Sequence, residues 1–553
     1  MKLNAEQLTQ NEIIESDVVV VGSGPAGITL AHDFIGSGLS VNVLESGGET
    51  QNYAAQKLSE GELSGHLYEA LESTHIRQVG GTANHLILKM TDKQYGYRYT
   101  PMEEIDFEQR DYLPNSGWPI TKADLDPYYA RVQEKCEIGH YDYSAAYWNR
   151  GQFELLPLPE DKAENSAFMF GPTRKFNHDF PLEIFNAENV NIYTNATVVE
   201  LICADDGKTI EKALVRLFDG KEIYFKAKQF IIAANALQTP RLLLSSKRHH
   251  PNGIGNQHDN VGRYYMDHTL LPSGNFFPYD PKYINKMGFY DMQGVDGASI
   301  LGRISLTQAF KKQHRLRNFV AILFPMSWNQ NDLDAMYSLE ELKRHFRWNW
   351  KHYPKDFGKH VMNVFKGRNR LIRAVYDRVR YGVPVLLGLG NGGWSRANNN
   401  EKKYDRLELL AIVEQSPNRD NRVTLSEAKD ALGCPKIKLH YVWDEADLTS
   451  HAQTQRLIGE ALVETGLGHY EPPKDSLESV KKLLGLHHMM GTTRMSEDPK
   501  DGVVDKDCCV HGMNNLFIAG SATFTTGSFV NPTLTNLAIS LRVADKVKCL
   551  LGK

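Results

Sequence analysis

Near the N-terminus, Gly22-Ser23-Gly24-Pro25-Ala26-Gly27 has the residue types and spacing that bring a backbone against a pyrophosphate. The first glycine permits a tight turn, the second lets the phosphates approach the main chain, and the third lets helix and strand pack closely. Glu45 stands where an acid can accept the 2′-hydroxyl of an adenosine ribose, and the same acid would repel the 2′-phosphate of NADP. The chemistry indicated is the holding of a dinucleotide, and FAD and NAD both fit it. The elements that position these residues agree. Val18–Val21 is an unbroken β-branched run, Ile28–Ser37 is helical in pattern, and Ser40–Leu44 reads as a second strand. The motif therefore sits in a complete βαβ unit, with the helix N-terminus facing the phosphates.

Distant segments carry further signals. Gly80-Gly81-Thr82-Ala83-Asn84-His85 predicts a turn that brings backbone against a ligand. Thr194–Leu201 and Glu222–Ala234 read as strands, and Ala234–Pro240 opens a helix over Arg241–Ser246. Near the C-terminus, a short strand Leu516–Ala519 ends at Gly520-Ser521, and Asn531-Pro532-Thr533 leads into a helix to about Leu550. Asn531 or Thr533 is expected to cap that helix, with Pro532 in its first turn.

Composition narrows the classes. The 553 residues carry 63 Lys and Arg against 67 Asp and Glu, a net charge of −4, so no bulk affinity for polyanions follows. Apolar stretches such as Phe230–Leu237 and Val383–Leu389 fall far short of the roughly 20 residues of a membrane span. Six cysteines, with only Cys508 and Cys509 adjacent, supply neither a disulfide framework nor a zinc pair. His487, His488, Cys508, Cys509 and His511 have the wrong spacing for one tetrahedral ion, so no metal is expected. Met1–Glu15 lacks an apolar signal region, and the expectation is a reducing, cytoplasmic setting.

Taken in order, these segments resemble the glucose–methanol–choline (GMC) family of FAD-dependent oxidoreductases. The resemblance runs through Val261-Gly262-Arg263, Asp267-His268, Arg422–Ser426, His488-Met489-Met490-Gly491-Thr492 and Asn531–Thr535. Asn235 and Lys247-Arg248 depart from the family pattern around the predicted helix at 241–246. The resemblance implies FAD held by the first βαβ unit, by Gly81, Thr82 and Val198, and by Gly520 and Ser521. It implies that the helix N-terminus at Pro532 and Thr533 faces the flavin N1–C2 edge, where negative charge collects on reduction. It makes His488 the base that takes a hydroxyl proton while hydride leaves for flavin N5, and Asn531 the group that polarises the same oxygen. His85 stands where some members bind the flavin covalently, and here the link stays undecided. The His and Asn pair resembles that of bacterial sugar-oxidising members. The implied activity is oxidation of a hydroxyl of a sugar, glycoside or related polyol to a carbonyl. A sterol-type alcohol oxidase and a non-catalytic flavin-binding subunit of an electron-transfer complex are the alternatives. Oxygen, a quinone or a redox partner would reoxidise the flavin.

The implied organisation is an α/β, Rossmann-like FAD-binding domain from 16–100, 195–262 and 485–553. It is interleaved with an α+β substrate domain from 101–194 and 263–484, roofed by an antiparallel sheet drawn from 264–324 and 407–443. Leu125 begins a helix to about Cys136, and Leu448–Thr465 reads as an amphipathic helix. Within the second domain, 339–381 is helical in pattern and basic. Twelve Lys or Arg stand against three acids, Glu341, Asp356 and Asp377, over 341–380, interleaved with Phe346, Trp348, Trp350, Tyr353, Phe357 and Phe365. The expected arrangement is an insertion whose apolar face packs on the substrate domain. The alternative is a docking surface for a membrane, an acidic partner or an anionic substrate. No nucleic-acid recognition module accompanies the charge.

Overall fold

The β-branched run of the first motif continues a strand, Ile13–Val21, whose last four residues are buried. In the computed structural model, residues 1–84, 88–89, 95–327, 329–348, 356–382, 392–474, 480–481, 483 and 485–553 are described. Ile13–Val21 lies at the centre of an eight-stranded sheet, in parallel between Val41–Leu44 and Glu222–Ile232. Val190–Thr194 and Lys2–Asn4 extend it on one side, and Leu516–Ile518 adds in parallel to Glu222–Ile232. Its central residues, Val18 to Val20 and Phe230 to Ile232, are fully enclosed. A parallel sheet covered on both faces needs such continuous apolar strands.

The second sheet has nine strands, antiparallel in every pairing, running from Gly468–Glu471 through Thr269–Pro278, Arg406–Val413, Phe319–Met326, Ala298–Leu306 and Ala163–Pro172 to Tyr95–Tyr99. It is the roof. The expected segments are only partly in it: Arg422–Lys429 and Pro435–Tyr441 pair with Gly61–Gly65 in a separate three-stranded sheet. The expected strand 194–201 is two strands, because Asn195 turns the chain with φ 56° between Val190–Thr194 and Val198–Cys203. The helix expected at 241–246 starts earlier, at Asn235, and runs through Pro240 to Ser245. The Asn235 side chain accepts from the backbone N–H of Leu237 and Gln238 and so closes the first turn.

The insertion forms three helices, Gln330–Trp348, Phe357–Lys366 and Arg368–Tyr381. Its outer two helices do not pack their apolar faces on the roof domain as expected; they turn polar residues inward instead. Trp350, Tyr353 and the apolar stretch Val383–Leu389 lie outside the described residues, as do the side chains of Phe346 and Trp348. No described helix is long and apolar enough to cross a membrane.

Candidate active site

A cavity of about 520 Å³ runs between the two sheets, from Gly22 and Glu45 at one end to His488 and Asn531 at the other. Gly22 has φ 101° at the head of the turn, a conformation L side chains rarely adopt. A Cβ on Gly27 would sit 1.9 Å from the Gly22 carbonyl oxygen, so helix and turn touch main chain to main chain. A Cβ on Gly24 would meet nothing within 4 Å; this is where the cavity opens onto the backbone. Glu45 accepts from the Ser23 N–H at 3.0 Å, the Ser23 hydroxyl at 2.6 Å and the Gly47 N–H at 2.8 Å. The second glycine pair leans on the first turn, with Gly80 N–H donating to the Ser23 carbonyl at 2.9 Å. Gly81 and Thr82 line the cavity. Val198 lies off it, in an adjoining pocket of about 80 Å³ that shares Gly22, Ser46 and Arg77 with it.

Gly520, Ser521, Pro532 and Thr533 also line the cavity. The C-terminal helix spans Thr533–Leu550, and no side chain caps it. The expectation that Asn531 or Thr533 caps it is therefore corrected: the Asn531 amide is committed elsewhere. The uncapped first-turn N–H groups are left for an anion in the cavity. An open glycine, a glycine-on-glycine turn, an acid at the strand end and an uncapped helix together fit a dinucleotide such as FAD.

At the far end, side chains from four distant segments meet. Asp267 accepts from the backbone N–H of both His268, at 2.7 Å, and His488, at 2.8 Å, and so ties the two histidine segments together. Met266 and Met490 pair beside them as an isolated antiparallel bridge. His268 Nε2 faces the carbonyls of Gly527 and Ser528 at 3.0 and 2.9 Å. Its Nδ1 lies 2.9 Å from His488 Nδ1. His488 Nε2 lies 3.1 Å from Asn531 Nδ2, and Asn531 Oδ1 accepts from Arg98 Nε. The partners fix every proton. Two carbonyls can only accept, so His268 carries its proton on Nε2 and accepts at Nδ1; His488 then carries its proton on Nδ1 and presents Nε2 as an acceptor.

Burial pushes both imidazoles toward the neutral form: His268 down to about 4, and His488 well below its ordinary 6.5, helped by His268 and Arg98. Burial also pushes Asp267 up to about 6, partly offset by the Tyr68 hydroxyl that donates to it at 2.6 Å. The Arg98 guanidinium lies over the Phe168 ring at 4.5 Å and is lowered to about 9 by burial and by Arg303. His487, at φ 60°, pairs with Glu69 and also lines the cavity beside His488.

The structure thus brings His488 and Asn531 together, and sets Gly22, Gly24, Glu45, Gly81, Thr82, Gly520, Ser521, Pro532 and Thr533 along one cavity. Gly27 lies behind the turn, and His85 lies outside the described residues. The sequence reading gave no role to Asp267, His268 or Arg98. Asp267 and His268 were visible as an adjacent pair; Arg98 showed only as a charge within the aromatic strand Tyr95–Tyr99. All six cysteines are free, and no metal-holding cluster occurs among the described residues.

A βαβ cradle whose cavity ends at a neutral, buried imidazole defines a dinucleotide-dependent oxidoreductase. Residues 417–540 match the GMC oxidoreductase family. The chain is 24% identical to the fructose dehydrogenase large subunit of Gluconobacter japonicus, over 97% of this chain and 98% of the relative. It is 23% identical to 2-methyl-1,2-propanediol dehydrogenase of Mycolicibacterium austroafricanum, over 96% and 95%. A formate oxidase structure from Aspergillus oryzae shares the fold, with a TM-score of 0.52 at 16% identity over 98% and 99% of the two chains. Residues 417–540 thus match the GMC oxidoreductases, FAD enzymes that act on CH–OH donors, and nearly the whole chain is similar in sequence to the two dehydrogenases.

Proposed function

We propose that this enzyme oxidises a hydroxyl of a sugar, glycoside or related polyol to a carbonyl, with His488 as general base. The observation that carries the reading is the directed hydrogen-bond chain that leaves His488 Nε2 an acceptor on the cavity wall, beside the Asn531 amide. Arg98 holds Asn531 Oδ1, so the Asn531 amide presents its N–H side. A substrate oxygen entering there accepts from Asn531 Nδ2 and donates its proton to His488 Nε2. The imidazolium that forms keeps its Nδ1 proton on His268 Nδ1, which stabilises the charge. FAD, when bound, supplies the acceptor for the hydride leaving the carbinol carbon. Gly81, Thr82, Gly520, Ser521 and the uncapped turn at Pro532 and Thr533 would hold it.

The names of two relatives matched over nearly their whole length, a fructose and a diol dehydrogenase, support a polyhydroxylated substrate. The reoxidant follows as oxygen, a quinone or a redox protein, and the six free thiols suit a cytoplasmic setting. Anaerobic mixing of the FAD enzyme with sugars, glycosides, aminocyclitols and sterols tests the reading. Bleaching of the flavin by a sugar, glycoside or polyol is expected, and recovery on admitting air identifies oxygen as acceptor. Bleaching by sterols alone, or by no alcohol, would overturn it.

A further inference from the structure

The two outer helices of the insertion carry an inverted amphipathic pattern. Arg368–Tyr381 meets the body of the protein through polar residues. Asp377 pairs with Lys403 at 3.0 Å with both side chains buried, Arg373 donates to the Lys402 carbonyl at 2.9 Å, and Arg370 lies over the Tyr404 ring at 5.5 Å. Phe357–Lys366 likewise docks on Gln330–Trp348 by polar groups, His360 and Asn363 each reaching the Ser338 hydroxyl at 3.1 Å. The apolar residues point the other way. Phe365, Ile372 and Val379 are 61%, 66% and 82% exposed, and Val361, Met362, Val375 and Tyr376 are exposed beside them.

These residues form continuous ridges. Ile372, Val375, Tyr376 and Val379 follow helical i, i+3, i+4, i+7 spacing, and Val361, Met362 and Phe365 share one face of the neighbouring helix. An exposed apolar surface of this extent, held rigidly from behind, marks a contact with something less polar than water. Its charge says what. Arg368 and Arg380 stand four residues either side of Ile372 and Tyr376 on the same ridge, and Lys359 and Lys366 stand three and four residues from Met362. All four are exposed, and the stretch 341–380 carries twelve basic residues against three acids.

We propose that this face seats on an anionic lipid surface. The apolar ridge enters the boundary between headgroups and acyl chains, Tyr376 lies at the headgroup level, and the flanking Arg and Lys side chains reach lipid phosphates. Both helices then lie in the plane of the membrane, and the rest of the enzyme stays in water. A second copy of the chain is less suited to the patch, because a self-complementary contact would bring two basic faces together.

Co-sedimentation of the full FAD enzyme with vesicles tests the proposal, using phosphatidylcholine alone or mixed with phosphatidylglycerol, at low and high salt. Binding to the anionic vesicles at low salt and release at high salt are expected. Arg368→Gln with Arg380→Gln should weaken binding by about fivefold per charge. Ile372→Asn with Val379→Asn should weaken it at least about tenfold, since each lost apolar side chain contributes on the order of tenfold. Thermal stability and substrate-driven flavin bleaching in solution should stay unchanged in both variants, because the replaced side chains are on the surface. Absence of binding to anionic vesicles at low salt would overturn the proposal, as would equal binding of wild type and both variants. A wild type that dimerises without binding vesicles, and becomes monomeric with Ile372→Asn and Val379→Asn, would give the face to a second copy instead.

Discussion

The two ends of the cavity are built by opposite means. At the Gly22 end the work is done by main chain: a positive-φ glycine, a glycine pressed on a carbonyl, and N–H groups of turn and helix. At the His488 end it is done by side chains whose protons are assigned one after another, from Ser528 through His268 and His488 to Asn531 and Arg98. Backbone cradles tolerate side-chain change but not added volume; proton chains tolerate volume but not a lost partner. The first end should govern whether FAD is held, and the second whether it is reduced.

His488→Ala should cut substrate-driven flavin reduction by at least about a hundredfold with the flavin content unchanged, as measured by stopped-flow absorbance. Near-normal reduction would remove the general base from the proposal. Gly27→Ala should show the converse, about ten- to hundredfold weaker flavin retention, from the ~1–3 kcal/mol cost of overpacking against the Gly22 carbonyl. A Gly27→Ala enzyme that keeps its flavin but is not reduced by substrate would break the division between the ends. His268→Ala should lower kcat about tenfold and spare KM, since it removes a buried hydrogen bond worth ~1–3 kcal/mol without touching substrate. Equal losses in kcat and in flavin content would instead mean a structural role.

The smallest effect concerns pH. A base works in its unprotonated form, and burial lowers the His488 pKa, so the active form persists on acidification past the ordinary histidine value of 6.5. The acid limb of kcat/KM should therefore lie below pH 6.5, and a limb at or above that value would contradict a buried, neutral imidazole.

The same contrast explains what could be read in advance. The glycine turn, Glu45 and the flanking strands are contiguous in sequence, and their spacing alone states the βαβ geometry. The pairing of His488 with Asn531 followed from resemblance, but its supports did not. His268 reaches His488 only because Met266 and Met490 bridge and Asp267 binds both backbones, contacts spanning more than two hundred residues. Arg98 comes from yet another segment, and nothing in its strand announces a cation facing a cavity. The uncapped C-terminal helix went unread because Asn531, a good cap by type, is held by stronger partners. In the insertion the periodicity was legible, but which face turned outward was not, since the Asp377–Lys403 pair that decides it joins separate segments.

The central sheet takes its neighbouring strands from Ile13–Val21, Glu222–Ile232 and Leu516–Ile518, and the helix that ends the cavity begins at Thr533. The cradle therefore gains its last wall from segments made long after the strands they close on. Closure of loops this long is slow, and until then an apolar parallel sheet stands with an edge unpaired. Flavin supplied during refolding should therefore raise the yield of active enzyme by trapping the last segment as it docks.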